Sequence, residues 1–246
     1  MRNVFISDLH LAEERPNITR ALFSFIEEQC LHSKEKTHAL YILGDLFETW
    51  IGDDDNSELA LSVKSALREL TDAGINVFFM HGNRDFLVGP SFCKDTNATL
   101  LSSDTHNLKL QGKQAIIMHG DTLCTQDTEY LAFRNMVRDP GWQAGFLSKS
   151  TIERTEIAKQ IRQQSKQSAS EKSEYIMDVD EHAVEDALRL NNADILIHGH
   201  THRPNTHAIN LPNKPIRYVL GDWDELGWSL ISDSSGIHLT SFAIID

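Results

Sequence analysis

Apolar and polar positions along the chain follow two rhythms. Short β-rich apolar runs end abruptly in polar clusters. Val4 to Ser7 runs into Asp8-Leu9-His10, Ala39 to Leu43 into Gly44-Asp45, and Val77 to Met80 into His81-Gly82-Asn83-Arg84-Asp85. Ala115 to Met118 likewise runs into His119-Gly120-Asp121, and Ile195 to Ile197 into His198-Gly199-His200-Thr201-His202. Helical periods separate several of these runs. Pro16 opens one carrying Ile18, Leu22, Phe25 and Ile26; Leu59, Val63, Ala66, Leu67 and Leu70 form a second, stopped near Gly74; Val184, Ala187, Leu188 and Leu190 form another before the Ile195 run. Arg217 to Leu220, Leu230-Ile231 and His238 to Ile244 read as closing strands. Strand, polar cluster, helix, strand predicts an α/β sheet whose ligands gather beyond the carboxyl ends of its strands.

Between about 122 and 179 this grammar breaks. The stretch holds no convincing β run but carries Tyr130, Leu131, Phe133, Met136, Val137, Trp142, Phe146 and Leu147, which predicts a helical insertion in a single domain spanning 1–246. Lys149, Arg154, Lys159, Arg162, Lys166 and Lys172 outnumber Glu153, Glu156 and Glu171 there, against a formal net charge of -13 for the whole chain. Lys159, Arg162 and Lys166 share one helix face by spacing. An overall negative field repels polyanions, so generic nucleic-acid binding is not expected. Cys30, Cys93 and Cys124 are scattered without a paired motif, as suits a reducing cytoplasm. The N-terminal apolar run is too short for a signal peptide, and no stretch is long enough to span a membrane.

The strand-end clusters carry the chemistry. Taken alone, His198 to His202 is either a His-rich turn or half of a metal site, and on an extended backbone His200 and His202 would project to one side. Asp8 and His10 repeat the same spacing. Collecting strand ends gives Asp8, His10, Asp45, Asn83, His119, His200 and His202, seven potential ligands that mix carboxylate, amide oxygen and imidazole. One cation would leave about three idle, whereas two sharing a carboxylate use the whole set, the usual device for clamping a phosphoester. Imidazole with oxygen and no thiolate favours Mn²⁺, Fe or Zn²⁺ over Ca²⁺ or Mg²⁺, with manganese first. His81 and His198 read as supporting or core histidines and Cys124 as a buried thiol. Asp121 is expected to orient His119, and Asp53-Asp54-Asp55 to be a solvated helix start capped by Asn56 or Ser57.

In order and placement, Asp-x-His, Gly-Asp, Gly-Asn, His and Gly-His-x-His resemble the calcineurin-like metallophosphoesterase superfamily from Asp8 to His202. The resemblance implies a β-sandwich flanked by helices, with the insertion as a helical lid. In that superfamily the third motif commonly reads Gly-Asn-His-Asp/Glu; here Arg84 replaces the histidine. A fixed cation stabilises charge rather than donating a proton, and a leaving phosphate, whose last pKa is about 6, needs no acid. Arg84 therefore points to a pyrophosphate.

The longer strings Gly44-Asp45-Leu46-Phe47-Glu48, Trp50-Ile51-Gly52-Asp53-Asp54, His119 to Thr125 and His198 to Pro204 are similar to those of the UDP-2,3-diacylglucosamine pyrophosphatases of the lipid A pathway of Gram-negative bacteria. That resemblance implies hydrolysis of a UDP-linked diacyl amino-sugar to UMP and a diacylglucosamine 1-phosphate (lipid X), by attack of a metal-bound hydroxide on the uridine-linked phosphorus, with two Mn²⁺ per chain. It places Asp8, His10, Asp45 and His202 on the first metal and Asp45, Asn83, His119 and His200 on the second. It gives catalytic roles to Asp45, Asn83, Arg84 and His200, and substrate contacts to Asn83, Arg84, His200, Asp127, Ser165 and Lys172, while a further contact falls on Ala169, whose methyl cannot replace a polar group. Leu131, Phe133, Met136, Trp142, Phe146 and Leu147 are of the type to line an acyl groove. A peripheral position on the cytoplasmic face of the inner membrane is expected.

Overall fold

The computed structural model describes residues 1–171, 176 and 178–245. Its strands are β1 (Arg2–Ile6), β2 (Thr37–Ile42), β3 (Asn76–Met80), β4 (Thr99–Leu101), β5 (Thr105–Leu110), β6 (Lys113–Met118), β7 (Ile195–His198), β8 (Asn205–Ala208), β9 (Ile216–Val219), β10 (Leu226–Asp233) and β11 (Gly236–Ala243). A six-stranded sheet runs β11-β10-β1-β2-β3-β4 and a five-stranded sheet β5-β6-β7-β9-β8. Within them β1, β2, β3 and β4 pair in parallel, as do β6, β7 and β9. Parallel strands covered on both faces need apolar residues at successive positions, which is why the interior runs read as continuous rather than alternating.

The sheets pack face to face. Phe5, Tyr41, Leu43 and Met80 from one meet Ile117, Ile195, Ile197 and Leu220 from the other in one buried layer. A stacked ladder of Phe5, Tyr41 and Phe78, with ring centroids 4.8 and 4.7 Å apart, crosses three neighbouring strands there. The alternate side chains Val4, Ile6, Leu40 and Ile42 face helices α1 (Pro16–Phe25) and α2 (Glu58–Asp72). Proline fits the first turn of α1 because no helical partner awaits its missing N–H, and a π-helical turn carries that helix on to Leu31. Ser57 Oγ caps α2 by accepting from Ala60 N. Helix α3 (Pro90–Thr96) lies beside α2; α4 (Thr128–Val137), α5 (Pro140–Leu147) and α6 (Thr151–Glu171) form the insertion after β6, and α7 (Glu181–Leu190) covers the second sheet through Val184 and Leu188. The result is helices, sheet, sheet, helix.

Two expectations change. Asp53 is no solvated helix start. Its carboxylate accepts from Gly89 N, Ser91 N and Phe92 N at 2.9–3.0 Å, capping α3 from a distant loop, and from Trp50 Nε1. Asp54 pairs with the buried Arg154 of α6, whose Nη1 also donates to the Ile51 carbonyl at 2.7 Å. An acidic run in sequence thus serves two separate helices.

Trp223, fully buried, packs edge-on against Phe25 and Phe242, donates from Nε1 to the Trp228 carbonyl, and through its backbone N–H holds the Asp8 carbonyl. Trp223→Ala is expected to cost about 3–5 kcal/mol of stability, measured by urea unfolding, while Leu190→Ala at an exposed helix end changes it by less than about 0.5 kcal/mol.

Candidate metal centre

Asp8 and His10 follow β1, Asp45 follows β2, Asn83 and Arg84 follow β3, His119 follows β6, and His200 and His202 follow β7. All lie where parallel strands end. The loops are stitched to one another by backbone hydrogen bonds: Asp8 N to Gly44 O, His10 N to Asp45 O, Leu11 N to Leu46 O and Gly199 N to His119 O. Asp8, His10, Asp45, His200 and His202 all have left-handed backbones, with φ between 50° and 67°. The extended backbone expected for His200 and His202 is therefore not what places them. β7 ends at His198, and the two imidazoles turn to different partners.

Asp8, His10 and His202 form one group in which ligand atoms lie within 4.8 Å of one another; Asp8, Asp45 and His119 form a second. Asp8 is the residue common to both groups. In the first, His10 Nε2 and His202 Nε2 are 3.2 Å apart, and Asp8 Oδ1 lies 3.5 Å from His202 Nε2. Asp8 Oδ2 is saturated by Ser7 Oγ at 2.6 Å and His200 N at 2.9 Å, while the buried Oδ1 receives no hydrogen bond. An uncompensated buried carboxylate oxygen is costly unless a cation meets it. Around the second group the Asn83 side chain touches His119 Nε2 at 2.9 Å, His200 Nδ1 at 3.0 Å and Asp45 Oδ2 at 3.1 Å. With its nitrogen inward the amide donates to these groups and its oxygen accepts from Arg84 Nε. With its oxygen inward, four lone-pair-bearing groups converge, and a divalent cation satisfies them together. The donor set fits a metal pair.

Surrounding groups orient the ligands. His119 Nδ1 bonds the Leu43 carbonyl at 2.8 Å, and His202 Nδ1 lies 3.5 Å from Asp222 Oδ2. Buried Asp85 accepts from the backbone N–H groups of Asp45, Leu46 and Gly82 and so ties the second and third loops. Burial, reinforced by the negative charge of Asp45, pushes Asp85 up to about 6. For Asp8, burial alone would raise the carboxyl, but His202, His119 and His10 outweigh it and hold it well below the usual range. Burial, with neighbouring His119, pushes His200 down to about 4, which favours the neutral ring. Two glycines make room for the carboxylates. A Cβ on Gly82 would lie 2.0 Å from Asp45 Oδ1, and one on Gly199 would lie 2.1 Å from Asp8 Oδ2.

Arg84 does not pair with Asp85. Its Nη1 donates to Glu48 Oε1 at 3.1 Å, its Nε lies 3.6 Å from Asp45 Oδ2, and its backbone N–H donates to Asp45 Oδ1. Nor does Asp121 orient His119. It accepts from Tyr130 Oη and Arg134 Nε, fastening α4 to the end of β6. His81 bonds the Val88 carbonyl and His198 the Gly199 carbonyl, as supporting histidines do.

Beside Asn83 and Arg84 opens a cavity of about 280 Å³. Its walls are Trp50, Phe86 and Leu87 from the strand-end loops and Tyr130, Phe133, Trp142, Phe146 and Ile161 from the insertion, with Asp127, Arg162 and Ser165 adding polar atoms. Phe133, Trp142 and Phe146 were legible as groove residues, but Met136 and Leu147 point outward and are 49% and 42% exposed. Asp127 also caps α4 by accepting from Tyr130 N. Lys172 and the side chains of Ala169 and Lys166 lie outside the described residues. Trp50, Phe86 and Leu87 escaped the sequence reading; the signal was their position immediately beside ligand motifs.

Parallel strand ends carrying this ligand order define a calcineurin-like phosphoesterase, and the model of that family matches residues 1–204, so the chain belongs to it. It is 46% identical to the UDP-2,3-diacylglucosamine hydrolase of Cellvibrio japonicus over 245 residues, covering 99% of this chain and 100% of the other. It is 46% identical to the enzyme of that name from Chromohalobacter salexigens, covering 99% and 98%, and 43% identical to that from Hahella chejuensis, covering 100% and 99%. Within the class, the chain is a member of the UDP-2,3-diacylglucosamine hydrolase family.

Asp45→Ala is expected to abolish binding of both metal ions, measured by elemental analysis after dialysis against Mn²⁺; retention of one would give the shared role to Asp8. Arg84→Ala should leave metal content unchanged. The pH response follows from His198, which burial pushes down to about 3 against an ordinary value of 6.5. The fold favours the neutral ring, so its contribution is complete above about pH 6.5 and is lost as pH falls toward 3. In metal-free protein, His198→Gln should flatten the acid loss of urea stability by up to ~2 kcal/mol at pH 5.

Proposed function

We infer that the chain hydrolyses UDP-2,3-diacylglucosamine in lipid A biosynthesis, cleaving its pyrophosphate to UMP and 2,3-diacylglucosamine 1-phosphate. The observation that carries this is one continuous site: an apolar cavity roofed by the insertion leads directly to Asn83 and Arg84, beside two carboxylate and imidazole groups. Acyl chains suit the aromatic walls, and the diphosphate suits the guanidinium and the ligand cluster at the floor. The family relationship supplies the identity of the sugar nucleotide.

Asp8, His10, Asp45 and His202 would hold a first cation, and Asp45, Asn83, His119 and His200 a second. The absence of thiolate and the mixture of imidazole with oxygen support manganese. When bound, such a pair supplies a nucleophile ionised at neutral pH and positive charge against the phosphoryl oxygens. The chain's own residues do the rest. Arg84, only 18% exposed, sits in a site that excludes much of the water and meets negative charge as it develops on the phosphates. Its fixed charge suits a sugar phosphate that departs as an anion without a proton. Neutral His200 adds a polar contact beside Asn83 and faces the Tyr130 ring at 5.9 Å between centroids. Asp127, Ser165 and Lys172 are proposed to contact the substrate.

Among the described residues no helix is long and apolar enough to cross a membrane. A diacyl substrate resides in a lipid leaflet, and we propose peripheral association with the inner membrane on its cytoplasmic face, with no nucleic-acid partner.

Given Mn²⁺ and UDP-2,3-diacylglucosamine, the purified chain should release UMP, and in isotopically heavy water the label should enter UMP. Label in the sugar phosphate would reverse the point of attack, and no UMP at all would overturn the reading. Arg84→Ala should lower kcat by about 10²-fold or more, the usual loss for one charge-stabilising donor.

A further inference from the structure

Glu48 is the point where three separate elements meet. Its backbone N–H donates to the Leu11 carbonyl at 3.0 Å, and Leu11 bridges to Phe47, so its main chain is fixed beside the loop carrying His10. Phe47 beneath it is buried and packs on Trp50 with ring centroids 4.5 Å apart. From this rigid base the carboxylate reaches in two directions. Oε1 accepts from Arg84 Nη1 at 3.1 Å and from the lid residue Arg162 through Nε at 3.2 Å and Nη2 at 2.9 Å. Oε2 lies 3.3 Å from Nδ1 of His10, whose Nε2 faces His202 in the first ligand group.

We propose that Glu48 is a positioning residue that couples the seating of the lid helix α6 to cation binding at the first ligand group. The inference goes beyond the hydrolase reading and rests only on that group holding a metal. A carboxylate facing Nδ1 at 3.3 Å, a contact that stops short of hydrogen-bond geometry, favours the tautomer with its proton on that nitrogen and leaves the Nε2 lone pair toward Asp8 and His202; losing such a partner typically weakens metal binding 10- to 100-fold. The same carboxylate anchors Arg162 in a two-bond fork and is held in turn by Arg84. When α6 lifts, Glu48 loses a guanidinium and the freedom it gains is shared with His10. By reciprocity, a cation that fixes His10 fixes Glu48 and favours the docked lid. Substrate entering under α6 therefore meets a centre whose ligand geometry reports whether the lid is in place.

The test needs no substrate. Mn²⁺ is titrated into metal-free protein with the free ion followed by electron paramagnetic resonance, and amide hydrogen exchange is read across residues 155–165 with and without Mn²⁺. In the parent protein Mn²⁺ should slow exchange of the lid amides. Glu48→Gln, nearly the same shape without charge, should bind its tighter Mn²⁺ equivalent at least about tenfold more weakly and lose the lid response. Arg162→Ala should keep both Mn²⁺ equivalents yet lose the lid response. Glu48→Asp, which retains the charge, should recover part of the affinity. Unchanged Mn²⁺ affinity in Glu48→Gln, or a lid response to Mn²⁺ that survives in both Glu48→Gln and Arg162→Ala, would overturn the coupling. Far-ultraviolet circular dichroism of each variant confirms the fold, and because no turnover is measured, failure here leaves the assigned reaction to be judged by UMP release alone.

Discussion

The centre depends on a backbone that is held where most residues avoid being held. Five of the seven candidate ligands, Asp8, His10, Asp45, His200 and His202, are in the left-handed region. Asp and His tolerate it better than branched residues do, yet each such position costs on the order of 1–3 kcal/mol and persists only when its surroundings over-determine it. Here they do. The Asp8 loop is hydrogen-bonded to the Asp45 loop and the His200 loop to that of His119, the Trp223 N–H holds the Asp8 carbonyl, and Asp85 gathers three backbone donors from two loops. The parallel strands deliver the loops to one edge, and the stitching fixes their conformation. The candidate ligands are thus fixed by the chain's own hydrogen bonds.

The insertion is attached by a second kind of bond. Arg134 reaches Asp121, Arg138 reaches the Gly82 carbonyl, Arg154 reaches Asp54 and the Ile51 carbonyl, and Arg162 reaches Glu48. Each guanidinium leaves a lid helix and ends on a strand-end loop. These posts act alongside apolar packing, in which Phe146, Trp142 and Ile157 of the insertion meet the core, and the cavity lies between the two. This also reconciles the charge pattern. The acidic chain repels bulk polyanions, while Arg84 and the insertion's Arg162 place two guanidinium groups on the cavity wall.

The candidate residues that the fold gathers at one sheet edge could be collected from the sequence because they stand directly after apolar runs long enough to identify buried parallel strands. What escaped has physical reasons. β5 and β8 are edge strands with half-exposed, polar sequences, Thr105–Leu110 and Asn205–Ala208, and no apolar pattern marks them. The roles of Asp53 and Asp54 depend on α3 and α6 arriving from elsewhere in the chain, which no local rule contains. The projection of His200 and His202 departs from that of an extended strand because β7 ends at His198 and both residues take a left-handed φ, which side-chain spacing does not encode. Glu48 lay within a quoted motif, yet its importance comes from partners 36 and 114 residues away.

Gly82 and Gly199 carry a consequence for how substitutions in this chain read. Neither needs an unusual φ, and neither offers a donor atom. Each occupies the space into which a carboxylate of the centre is pressed, so that even a methyl group would displace Asp45 or Asp8. In a mutational scan these two positions would score with the ligands themselves, and intolerance there would mark the volume occupied by a charge rather than the flexibility of a turn.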